Sequence, residues 1–245
     1  MLERGRIIDG DIPLALSAHC VQRKGEVLAL VVSRSLSYFF GSEPPIFDPR
    51  AMDTSDKYFN IKQYFENVDL THWLLSQNKQ GKIIFSQSNF DTIEKGFDEA
   101  LSRGYFTGRK RFCDAGCGVG MVTAMANVLY NLESYGVEIQ ESLYARAIRS
   151  VKDLKDNFNH PIGIMHGDFG LSETYTDVRF DQIDVWFNYY NNFDPLVRKM
   201  RRESSPGTLF LLLKGLDQST GDMHGMKALK PIELDDLQIL PYRNP

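Results

Sequence analysis

Gly116, Gly118 and Gly120 stand two residues apart, between an apolar stretch that ends in Asp114 and the Ala-, Met- and Val-rich stretch Met121 to Tyr130. Glycine lets a backbone turn through left-handed angles and approach a ligand closely, as a loop lying under a cofactor must. Glu138 follows Gly116 by 22 residues and closes a second apolar stretch, Tyr135-Gly136-Val137-Glu138-Ile139. A carboxylate at that place can accept hydrogen bonds from both hydroxyls of a ribose. A dinucleotide loop reads G-x-G-x-x-G and brings a pyrophosphate to a helix N-terminus. The G-x-G-x-G spacing of this chain speaks against a nicotinamide dehydrogenase.

Two further segments carry groups able to do chemistry. His166-Gly167-Asp168-Phe169 offers an Asp that can accept from an adenine amino group and a Phe that can pack on its ring, while His166 reads as a packed polar residue. Asp184-Val185-Trp186-Phe187-Asn188-Tyr189-Tyr190-Asn191-Asn192-Phe193 runs from a buried stretch into a cluster of amides and aromatics. Aromatic walls stabilise a cation, and an amide oxygen can orient an amine without competing as a nucleophile.

The elements that must position these groups follow from the pattern of apolar residues. Strands are expected at Phe112 to Asp114, Ser134 to Glu138, Ile162 to His166, Gln182 to Phe187 and Thr208 to Lys214. Helices are expected at Thr92 to Arg103, with Ile93, Phe97, Ala100 and Leu101 as its stripe, and at Met121 to Leu132, Glu141 to Phe158 and Pro195 to Glu203. This alternation builds an α/β fold, a mostly parallel Rossmann-like sheet with helices on both faces. Ligands of such sheets lie at the carboxyl ends of the strands, and Asp114, Glu138, Asp168 and Asn188 all fall at or just past those ends. The chain divides into an N-terminal extension or lid over residues 1–80 and the sheet domain over residues 81–245. Within the extension, Val27 to Phe40 reads as a strand pair, Gly41 to Pro45 as a break, and Tyr58, Phe59, Tyr64, Phe65 and Trp73 as helix residues that are mostly core.

Composition excludes several classes. With 42% hydrophobic and 24% charged residues in 245, the chain is neither disordered nor membrane-like, and no apolar run reaches the roughly 20 residues that span a bilayer. A cytoplasmic or nuclear location is expected. A net charge of −4 argues against coating nucleic acid through an overall field, although Arg109-Lys110-Arg111 and Arg198 to Arg202 are local basic clusters. Cys20, Cys113 and Cys117 make neither a disulfide framework nor a zinc site, and no metal is expected.

Asp114-x-Gly116-x-Gly118-x-Gly120 resembles the first motif of class I S-adenosylmethionine-dependent methyltransferases. With Gly136-Val137-Glu138-Ile139, Gly167-Asp168-Phe169 and above all Asn191-Asn192-Phe193, the chain over roughly residues 85–235 resembles the non-SET histone-lysine methyltransferases of the disruptor-of-telomeric-silencing type. The resemblance implies S-adenosyl-L-methionine as cofactor, held by Asp114, Gly116, Gly118, Gly120, Glu138, Asp168, Phe169 and Asn188. It also implies a methyl-transfer channel lined by Asn191 and Phe193, with Tyr189 as a neighbouring wall, and a protein lysine as acceptor.

Other readings stay open. Nucleic-acid amine methyltransferases place Asn/Asp-Pro-Pro-aromatic after the fourth strand, and Asn188-Tyr189-Tyr190-Asn191 shares the Asn and the aromatics without the prolines. A small-molecule methyltransferase with residues 1–80 as its lid, and a non-catalytic cofactor-binding protein of the same fold, complete the alternatives.

Overall fold

The structure is a computed structural model and describes residues 54–67, 89–190 and 192–245. The strand pair and break expected before residue 50, and Trp73, lie outside the described residues.

Five strands, β1 (Arg111–Ala115), β2 (Glu133–Glu138), β3 (Gly163–His166), β4 (Val185–Tyr189) and β5 (Leu209–Gly215), run parallel in the order 3-2-1-4-5. Chain order reverses between β1 and β4, which opens a crevice at their carboxyl ends. Beyond β5 the sheet continues antiparallel with β8 (Leu237–Arg243), which pairs with β5 from Leu209↔Arg243 to Gly215↔Leu237 and also with the short β6 (Lys227–Ala228) and β7 (Ile232–Leu234). This is the expected Rossmann-like α/β sheet.

Helices cover both faces. On one face lie α1 (Thr54–Asn67), α2 (Phe90–Ser102) and α3 (Met121–Tyr130), whose Ile61, Phe65, Phe97 and Met125 share a core with Phe112, Phe187 and Leu211 of the strands. Phe97 is its centre, with edge contacts to Phe106, Phe112, Tyr130 and Phe187 at 5.5–5.9 Å. Helix α4 (Glu141–Asp153) sets Ala147 against Ile164 of β3 and Cys117 of the glycine loop. On the other face α5 (Phe193–Glu203) buries Leu196, Val197 and Met200 against Trp186, Phe210 and Leu212.

Several boundaries move, each for a local reason. The fourth strand starts at Val185 rather than Gln182: Phe180–Gln182 forms a 3-10 turn, and Asp184 instead caps the start of β1, its Oδ2 accepting from the backbone N–H groups of Lys110 (2.8 Å) and Arg111 (3.0 Å). Helix α3 stops at Tyr130 because Asn131 turns left-handed, and α4 stops at Asp153 before a 3-10 turn over Lys155–Asn157. Helix α5 begins two residues early, which places Pro195 in its first turn, where a missing N–H costs nothing. In α2 the buried stripe is Phe90, Ile93, Phe97 and Ala100, whereas Leu101 and, in α1, Phe59 are exposed. Strands β6 to β8 were not expected; Pro231 and Pro241 interrupt the pattern there, yet β8 lies within the sheet.

Candidate active site

The loop leaving β1 turns left-handed three times, with φ of +86° at Gly116, +56° at Gly118 and +87° at Gly120. A residue with a Cβ loses about 1–2 kcal/mol in that region, so the three glycines are a backbone requirement. The N–H groups of Gly116 and Cys117 both donate to the Val137 carbonyl, at 2.8 and 2.9 Å, which lays the loop over the end of β2. Gly136 makes room for it: a Cβ there would stand 2.7 Å from Cys117 Sγ. Cys113 and Cys117 are buried with their thiols pushed up by desolvation, so both are packing residues.

Two carboxylates are buried beside this loop. Asp114 is 3% exposed and Glu138 is 4% exposed. Glu138 Oε2 accepts from Gly118 N–H at 2.9 Å and Oε1 from Gln140 N–H at 2.8 Å. Burial, opposed by these bonds, raises the Glu138 pKa. Asp114 is pushed up to about 8, first by desolvation and then by the Glu138 charge. The Thr123 hydroxyl lies beside Asp114 and offsets part of that rise. Two carboxylates buried side by side make a polar cluster that favours a positively charged ligand.

The neighbouring strand ends join this cluster. Ile139 is 61% exposed directly after Glu138, an apolar surface at the rim. His166 is not packed in the interior but exposed, stacked on Tyr144 at 4.8 Å with Nε2 3.1 Å from the Ile139 carbonyl. Gly167 N–H donates to the Glu138 carbonyl at 3.0 Å and brings Asp168 alongside, where Asp168 Oδ1 accepts from Gly170 N–H at 2.7 Å. Phe169 is buried in the core of the α5 face, beneath the rim.

After β4, Asn188 is fully buried and its amide donates to the Ala115 carbonyl at 2.7 Å, so it clamps the ends of β4 and β1 together. Tyr189 is half-buried and packs on the opposite core from Trp186. Tyr190 at φ +35° and Asn192 at φ +45° are left-handed non-glycine residues, a strained turn of the kind that gathers at functional sites. They bracket Asn191, which lies outside the described residues. Phe193, the first residue of α5, rests its ring 5.6 Å from Tyr190.

Asp114, Gly116, Gly118, Gly120, Glu138 and Asp168 thus converge on one rim, with Asn188 supporting them from below. Sequence reasoning passed over Thr123, Ile139 as an exposed apolar face, and Tyr190. An isolated Thr in a helix carries no signal, whereas an Ile directly after a strand-terminal acid does. The basic clusters are largely engaged within the fold: Arg109 donates to the Gly207 carbonyl, Arg111 pairs with Glu133, Lys199 with Glu203, and Arg201 donates to the His224 carbonyl. Among the described residues no group of three metal-binding side chains occurs, and no helix is long and apolar enough to cross a membrane.

No protein-family model and no curated protein matches this chain. Among solved structures it is similar to an RNA methyltransferase from Salinibacter ruber in complex with S-adenosyl-L-homocysteine, at 16% identity over 66% of this chain and 94% of that one, with a TM-score of 0.48. It is similar also to the rRNA methyltransferase aviRa from Streptomyces viridochromogenes (12% identity, 65% and 86% covered, TM-score 0.49). A third is Aeropyrum pernix fibrillarin with natively bound S-adenosyl-L-methionine (14% identity, 61% and 73% covered, TM-score 0.46). What each of those proteins binds and modifies is a property of that protein.

Proposed function

We propose that this chain is an S-adenosylmethionine-dependent methyltransferase whose cofactor lies on the carboxyl rim of β1, β2 and β3 and whose acceptor approaches over the turn between β4 and α5. The observation that carries the reading is the pairing of three left-handed glycines with the buried carboxylates Asp114 and Glu138. Those residues fit this cofactor. Its α-ammonium and sulfonium groups are cationic, and two buried acids favour such a ligand over a pyrophosphate.

Asp114 and the turn Gly116, Gly118 and Gly120 take the methionine end. Glu138 already accepts two backbone N–H bonds, yet a carboxylate offers about four lone-pair sites, so a ribose diol can still be received. Ile139 supplies an apolar face for the adenine ring, the remaining Asp168 oxygen receives its amino group, and Phe169 supports that place from beneath. Asn188 holds the β1 and β4 ends in register. When bound, the cofactor supplies an electrophilic methyl group; the chain's own part is to place the acceptor in line and to keep water and charge away.

For the acceptor, Tyr189, Asn191 and Phe193 support an amine, and the Asn-Asn-Phe segment supports a protein lysine. Aromatic walls surround an alkyl amine, and an amide oxygen orients it. A nucleic-acid base amine is the alternative that the same segment accommodates.

Calorimetric titration with S-adenosyl-L-methionine, with NAD as control, tests the cofactor reading on wild type and Glu138→Gln. Binding in wild type, weakened about tenfold or more by loss of the ribose-binding charge, is expected. No binding by the folded wild-type chain would sink it. Incubating tritiated cofactor with core histones and with total RNA in parallel separates the acceptors: label in histone lysine supports the lysine reading, and label in RNA alone overturns it.

A further inference from the structure

Beyond β5, residues 216–226 run past the end of β4 before the chain enters β6, and they are fastened to the β4–α5 turn at two points. Tyr190 Oη donates to the Ser219 carbonyl at 2.6 Å, and His224 Nε2 lies 2.8 Å from Asp194 Oδ1. Arg198 pairs with the other oxygen of Asp194. The histidine is itself tightly held. Its N–H donates to Asp222 Oδ1 at 2.7 Å, its carbonyl accepts from Arg201 Nε at 2.9 Å, and its Nδ1 is 3.4 Å from Asp222 Oδ2. Met223 and Met226 anchor the segment in the core of the α5 face.

His224 adopts this place at φ +49°, a left-handed angle that costs a residue with a Cβ about 1–2 kcal/mol. Surface loops rarely retain such strain unless surrounding contacts enforce it, and here backbone and ring contacts together hold His224. The partner it meets, Asp194, directly follows Phe193, and the second fastening point, Tyr190, packs on the Phe193 ring at 5.6 Å. Both ties therefore end beside Phe193.

We propose that His224 is a positioning residue for the acceptor side of the transfer site: by holding Asp194 it fixes the start of α5 with Phe193 and makes residues 216–226 a wall beside Tyr190 and Phe193. The proposal rests on the methyltransferase reading above. The groups facing the imidazole are the carboxylates of Asp194 and Asp222, while Arg198 pairs with Asp194 and Arg201 with the His224 carbonyl.

Amide hydrogen exchange on the full chain tests this with His224→Ala, His224→Gln and His224→Leu. In His224→Ala, the amides of 189–194 and 216–226 are expected to exchange about tenfold faster, while those of 114–120 and 134–138 and the affinity for S-adenosyl-L-methionine stay as in wild type. His224→Gln carries an amide N–H to the Nε2 position and restores slow exchange; His224→Leu, similar in bulk but without a donor, does not. Unchanged exchange at 189–194 in His224→Ala, or a Gln variant no better than Leu, overturns the assignment of His224 alone. A wild-type chain that binds no S-adenosyl-L-methionine overturns the underlying reading, and the acceptor role of His224 with it.

Discussion

Glu138 Oε2 accepts a hydrogen bond from the backbone N–H of Gly118 at 2.9 Å, so the acid that ends β2 holds the middle of the turn that leaves β1. This bond explains how a carboxylate 4% exposed is tolerated at a strand end. Its cost falls on Asp114, which is buried near the same charge, lacks a comparable backbone donor and keeps its proton to about pH 8.

That coupling fixes the direction of a pH effect on stability. The Asp114 pKa in the folded chain is raised above its unfolded value of about 4, so the folded state binds the extra proton between about pH 4 and 8. The contribution to stability is complete below about pH 4 and lost as pH rises to about 8, a change of at most about 5 kcal/mol. Without cofactor, the wild-type melting temperature should fall from pH 5 to pH 8. Asp114→Asn should flatten that slope and melt higher than wild type at pH 8. An equally steep slope in the variant would place the titrating group elsewhere.

Gly136 carries a prediction about packing. A Cβ there would meet Cys117 Sγ at 2.7 Å, Cys117 Cβ at 2.9 Å and Ile164 Cδ1 at 3.0 Å, with two of these contacts in the glycine loop itself. Gly136→Ala should destabilise by about 1–3 kcal/mol in urea denaturation, as overpacked cores do. Combining it with Cys117→Ala should recover part of that loss, since Sγ is the nearest atom. No recovery would mean that the strand, not the loop, resists the methyl group.

These cases show what was legible in the sequence and what was not. Gly116, Gly118 and Gly120 announce themselves because only glycine suits φ near +56° to +87°, and Asp114 and Glu138 because acids at the ends of apolar stretches have few other uses. The parallel strands were found because buried strands read as apolar runs. The start of β4 was misplaced because Phe180 and Ile183 are buried from a turn, and burial alone does not reveal backbone conformation. Strand β8 carries Pro241, which weakens a strand pattern yet forfeits only one ladder bond in a strand paired on both sides. Neither the contact of His224 with Asp194, 30 residues away, nor the left-handed turn at Tyr190 and Asn192 leaves a local pattern, because both arise from how β5 and α5 pack.

Phe97 is where the helix-covered face should be most sensitive. Its ring is fully buried and meets four aromatic rings from α3, β1, β4 and the segment after α2. Phe97→Ala should cost about 3–5 kcal/mol, the transfer free energy plus an unfilled cavity among rigid rings. Phe97→Leu should cost clearly less. The urea midpoint checks both, and a loss under 1 kcal/mol for Ala would mean that α1 and α2 collapse into the space, at about the level of a surface change.

The raised pKa of Asp114 also predicts how cofactor binding depends on pH. The cofactor's α-ammonium placed beside Asp114 requires its carboxylate, so binding below about pH 8 must expel a proton. Affinity for S-adenosyl-L-methionine should rise by up to about tenfold per pH unit from pH 6 toward 8 and level off above. Calorimetry at pH 7 in two buffers of different ionisation enthalpy should show close to one proton released. The cofactor's own α-amino group titrates near pH 8, which weakens binding at higher pH and is common to every variant. Asp114→Asn separates the two: it should bind more weakly at pH 8, release no proton at pH 7 and retain only the decline above pH 8. Equal proton release by variant and wild type would remove Asp114 from the cofactor's charged end and leave Glu138 as the titrating acid.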